Sequence, residues 1–151
     1  MNTPPFMWPI TMMKRRYQNR DGIAATEFAL MVPIMFAFLL FTVEMCTILF
    51  LKEAVTLAAY EGARVGIQRG GTDALAQFRV EEFLTQRGIT FTNPVNVDDP
   101  GFDDAEELEH VTTTVSVPAA GNLPFSWFFG GMEISAHVTM RKEFTNPDNN
   151  E

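Results

Sequence analysis

Glu27 and Glu44 are the only ionisable side chains in an apolar run over residues 23–51. A carboxylate in such a run either pairs with a cation or sits where water reaches it, because an unpaired charge in apolar surroundings is costly. Other residues capable of chemistry are few. His110 and His137 are the only histidines, and neither falls in a zinc spacing such as H-E-x-x-H; both read as solvent-facing strand residues. The single cysteine, Cys46, excludes an internal disulfide and a thiolate zinc site. It reads as a small buried hydrophobe rather than a lipidation or cross-linking point. The acids of Asp98-Asp99-Pro100-Gly101-Phe102-Asp103-Asp104 suggest calcium, which takes several carboxylate oxygens. Their spacing departs from an EF-hand loop, so a solvated acidic turn is expected. There is no G-x-S-x-G, no phosphate-binding glycine loop and no dinucleotide fingerprint. The expectation is a protein that is not an enzyme and has no metal and no cofactor.

The elements that position the two glutamates follow from hydropathy and charge. Residues 23–51 form one helix in this reading, about 43 Å long against a bilayer core of ~30 Å. Glu27 lies about 6 Å and Glu44 about 31 Å up that helix from Ile23. Each is therefore expected near one membrane interface, with an uncharged span between them. Four of the 11 basic residues, Lys14, Arg15, Arg16 and Arg20, lie in residues 1–22 with one acid, Asp21. Basic residues beside a span mark the cytoplasmic side. The rest of the chain is strongly acidic, which argues against nucleic acid as a partner and serves solubility. A secretory signal peptide would have a shorter apolar core closed by a small-residue site; a retained single-pass anchor fits better. Pro33 lies inside the span, where neighbours can satisfy the freed backbone, and is a candidate helix-packing residue.

Beyond the span, residues 52–151 read as an extracytoplasmic α+β domain. The helix continues over residues 52–69 with a small-residue stripe that includes Val55, Ala58, Ala59, Gly62, Ala63 and Gly66. Such a stripe lets helices approach closely, against another subunit or against this domain's own sheet. Gly70-Gly71 ends it. Thr72 or Asp73 caps a second helix reaching Arg87, with Ala76, Val80, Phe83 and Leu84 inward and Gly88 as the stop. Three strands of an antiparallel sheet follow: Ile89 to Val97, broken or edge-like because of Pro94; Val111 to Val117; and Ile134 to Met140. Phe125, Trp127, Phe128 and Phe129 crowd one loop. They are expected to cap the core, with a patch covered by a partner subunit as the other reading.

The residues from Arg20 to about Gly66 resemble the TadE-like family of the tight adherence (Tad) pilus system, and more broadly the leader region of type IV prepilins. The resemblance rests on Gly22, Ala24, Ala25, Glu27, Phe28, Ala29, Leu30 and Pro33, then on Ala58, Ala59, Gly62, Ala63 and Arg64. The segment Val138-Thr139-Met140-Arg141-Lys142-Glu143 also looks like the closing strand of such proteins. The resemblance implies that a membrane aspartyl prepilin peptidase cuts the Gly22–Ile23 bond on the cytoplasmic face and removes residues 1–22 as a basic leader. Glycine suits such a cut because it lacks a Cβ. Glu27, followed by Phe28, would then neutralise the new α-amino group of a neighbouring subunit. Many type IV pilins begin their mature chain with an N-methylated phenylalanine; Ile23 stands here, so methylation is not implied. Met12 and Met13, directly before Lys14, are alternative translation starts that would leave a shorter basic leader.

The function this implies is that of a pseudopilin or minor pilin in the inner membrane, with its N-terminus cytoplasmic and its C-terminal domain periplasmic. Its partners would be the peptidase, other pilins, the Tad assembly machinery and the lipid bilayer. An uncleaved, membrane-anchored periplasmic scaffold or binding protein is the second reading. A TadF-like subtype stays open, whereas the chain is short for the much larger TadG-like kind.

Overall fold

The structure is a computed structural model that describes residues 18–143, with side chains from Gly22 onward. Lys14, Arg15 and Arg16 of the expected leader and the pair Met12-Met13 lie outside the described residues, and the side chain of Arg20 is likewise outside them. The elements run α1 (Gln18–Gly66), α2 (Asp73–Gln86), β1 (Val95–Val97), β2 (His110–Pro118) and β3 (Glu133–Arg141). The fold class is α+β, with a long apolar helix, a short helix and a three-stranded antiparallel sheet of order β1-β2-β3. The chain forms two compact units, Met1–Leu39 and Leu40–Glu151.

The second unit has a core built on strict periodicities. In β2, Val111, Val115 and Val117 alternate inward with Thr113, and Ile134 and Ala136 do the same in β3. Val115 pairs with Ala136 and Val117 with Ile134 across the ladder. On the opposite face Thr112 and Thr139, also directly paired, share a 2.8 Å hydroxyl hydrogen bond. Against the inner face pack Leu51, Val55, Ala58 and Ala59 of α1 and Val80 and Leu84 of α2. A smaller cluster joins Ala63, Ala76, Phe102, Ala105 and Val111.

The helix ends come from local chemistry. Thr72 caps α2, its hydroxyl accepting from the Leu75 N–H at 3.2 Å. Ala76, Val80 and Leu84 are buried as their spacing predicts, and Phe83 is half-buried against the core. The helix α1 stops at Gly66, three residues before Arg69, and a turn over residues 67–71 closes with Gly71 N–H donating to Gln68 O at 2.8 Å.

The first strand is much shorter than the sequence suggests. Ile89 and Phe91 pack on the core without joining the ladder, and pairing begins only after Pro94. Proline has no N–H to give a ladder; its carbonyl instead accepts from the Ser116 N–H at 2.8 Å.

Candidate functional site

The helix residues singled out at the start of the apolar run are open to their surroundings. Gly22 and Ile23 lie within α1, and a Cβ built on Gly22 would meet nothing within 4 Å. Glycine weakens a helix by about 1 kcal/mol relative to alanine. Thr26 Oγ1 donates to Ile23 O at 2.7 Å, a bond within the same turn. Glu27 is exposed and makes no ion pair among the described residues, and Phe28 beside it is 68 % exposed. Pro33 lies inside α1 without ending it.

From Phe28 to Leu39 every face of the helix is exposed and apolar. A helix that is apolar all round belongs in a protein core or a membrane. This one is 45 residues long over Gly22–Gly66, has a window of mean hydropathy 2.4, and leaves that window almost entirely uncovered. One apolar N-terminal helix of this kind fits a single-pass membrane anchor.

Further along α1 the small-residue stripe meets its own domain. Ala59 and Ala63 are fully buried, and Gly62 and Gly66 are buried beside them. A Cβ on Gly62 would lie 2.4 Å from Val80 Cγ2, and one on Gly66 would lie 2.5 Å from the Phe102 ring. The stripe therefore receives α2 and the Phe102 side chain.

Three features differ from what the residues suggest. Glu44 is covered by its own domain rather than open to its surroundings: it is 1 % exposed, and its Oε1 has no hydrogen-bond partner among the described residues. It lies on the face of α1 that carries Phe41, Ile48, Leu51 and Val55, three or four residues apart, which the domain covers. Cys46 is exposed rather than buried, because it falls on the other side of that helix. The aromatic loop caps the core only through Leu123 and Phe129. Phe125, Trp127 and Phe128 stand out, with Trp127 89 % exposed.

The acidic loop folds around a cation that the sequence does not advertise. Lys142, just past β3, is 1 % exposed and donates to Phe102 O at 2.5 Å and Ala105 O at 3.0 Å. Asp73 Oδ1 accepts from the Phe102 N–H at 2.6 Å, and Asp103 Oδ2 accepts from the Asp73 N–H at 3.3 Å. Burial pushes the Asp73 carboxyl above its ordinary value of 3.8; the Phe102 N–H pulls it down, Asp103 and Asp104 push it up, and Lys142 pulls it down. Among the described residues no three His, Cys, Asp or Glu are arranged to hold a metal ion.

Residues 22–64 match the model of a family described as TadE-like protein. No curated protein and no solved structure matches the chain.

Proposed function

We propose that this chain, TadE-like over residues 22–64, is a pseudopilin or minor pilin of a Tad pilus. The observation that carries the reading is where the family match begins. It starts at Gly22, the residue that separates the basic leader from an apolar helix exposed on every face. A membrane prepilin peptidase hydrolyses the Gly22–Ile23 bond, so that the mature chain begins at Ile23. The mature helix holds the protein in the inner membrane, N-terminus inward, and its acidic domain lies outside. There it associates with other pilus components. Glu27 supplies the carboxylate that meets a neighbour's α-amino group, a partner that its own chain does not offer among the described residues.

The test is the intact mass of the membrane-extracted protein, from wild type and from Gly22→Ala. A wild-type mass equal to residues 23–151, with the full-length mass retained in the variant, is expected. An uncut wild-type chain in cells that carry the peptidase overturns processing and leaves an uncleaved periplasmic scaffold.

A further inference from the structure

The aromatic loop between β2 and β3 has no part in the pilin reading, yet it is placed where an exposed aromatic cluster has a definite use. From Ala120 to Met132 it carries no ionisable side chain. Phe125, Trp127, Phe128 and Met132 are all more than 40 % exposed. Its tip does not point away from the helix. The Phe128 ring meets Phe41 edge-on, centroids 6.5 Å apart, and Phe129 meets the same ring at 6.0 Å.

That contact fixes the depth of the loop. Leu49 and Phe50 are still exposed apolar residues, 65 % and 70 %, and they lie farther along α1 toward the outer domain than Phe41. Nine residues of helix are about 13 Å. The loop tip thus reaches about 13 Å back along the apolar helix from its last exposed phenylalanine.

Two polar side chains at this level are turned away from the surroundings of the helix. Glu44 is hidden beneath the domain. Thr47 turns its hydroxyl back onto Val43 O at 2.9 Å. Arg87 stands at the level of Phe50, lining one cleft with Thr47, Phe50, Gly121 and Asn122, and its guanidinium lies 4.2 Å from the Phe83 ring centroid. Aromatics below and a cation above is the order found at the membrane–water boundary, where indole rings sit at headgroup level and guanidinium groups meet phosphate.

We propose that residues 125–129 insert into the outer-leaflet interface of the bilayer as a second membrane contact, with lipid as the occupant of the exposed aromatic surface and Arg87 at the phosphate level. The loop then holds the outer domain down on the membrane instead of leaving it on a free stalk. The inference rests on the single-pass anchor, and the test separates the two.

Trp8 and Trp127 are the only tryptophans, so a full-length Trp8→Phe chain reports Trp127 alone. It is reconstituted in phosphatidylethanolamine/phosphatidylglycerol vesicles in which part of the lipid is brominated near the headgroup end of the acyl chains. A second chain with Trp8→Phe, Trp127→Phe and Phe36→Trp reports the span, using lipid brominated deep in the acyl chains. Loss of Trp127 emission to the shallow bromines, with protection from iodide on both sides of the vesicle, is expected. Quenching of Trp127 by iodide and not by bromines, while the Phe36→Trp reporter is quenched by deep bromines, overturns the loop insertion alone and leaves the patch for another protein chain. Failure of both reporters to see bromines overturns the anchor and the loop together.

Discussion

A buried polar side chain changes meaning with its surroundings, and Glu44 and Lys142 show this in opposite ways. Lys142 has two carbonyl acceptors and sits 1 % exposed; charge-assisted bonds of this kind are worth about 1.5–3 kcal/mol each, which offsets desolvation. Glu44 is equally buried and has one oxygen without a partner among the described residues. The Asp73 carboxyl is intermediate. Its pKa is raised in the folded chain, so folding favours its protonated form. Asp73 therefore contributes most stability below about pH 3.8, and that contribution falls as pH rises through the folded value. Asp73→Asn keeps an oxygen for the Phe102 N–H and cannot ionise. The Tm of wild type minus that of the variant is expected to decrease from pH 3 upward, at about pH 3 to 7 in thermal melts. A difference that is flat or rises with pH contradicts the raised carboxyl.

At the scale of the element, α1 serves two environments with two different patterns. Its first part is large and apolar on all sides; its last part narrows to alanine and glycine on one side. Gly66 shows why. The Phe102 ring occupies the space in which a Cβ would stand, at 2.5 Å. Gly66→Ala is expected to cost about 1–3 kcal/mol, as overpacking does. Combining it with Phe102→Leu is expected to cost less than the sum of the two single changes. Chemical denaturation of the four proteins in detergent measures this coupling; additive costs would mean that the ring and the glycine do not meet. The loop after β2 is fixed in a similar local way. The Asn122 side chain accepts from Thr90 N–H at 2.8 Å and donates to Thr90 O and Pro118 O, both at 2.8 Å. This clamp sets the direction in which the aromatic loop departs.

For the whole molecule the question is what the exposed apolar helix and the unpaired Glu27 are for. Among the described residues neither finds a partner in its own chain; a bilayer and a packed assembly of like subunits would supply one. Glu27→Ala removes the carboxylate and adds no bulk. The variant is expected to insert in the membrane and be processed as wild type does, and to be lost from pilus-component complexes recovered by cross-linking and pull-down. Wild-type recovery of those complexes would show that Glu27 has no part in assembly.

Much of this protein is legible in one dimension because its signals are local. The apolar run, the capping Thr72, and the alternation in β2 and β3 each depend on residues close in sequence, and helix and strand periods translate them directly into faces. The family segment was legible for the same reason: the residues from Gly22 to Arg64 lie in one continuous stretch. Contacts between distant segments are different. Nothing near Glu44 in sequence says that a domain will cover it, nothing near Gly66 announces Phe102, and nothing near Lys142 names the two carbonyls it holds. The loop at residues 125–129 could cap a core or present a patch on composition alone. Only the folded chain decided that Phe129 packs on the core while Phe125, Trp127 and Phe128 stay exposed, because burial is a property of the assembled chain and not of any window along it.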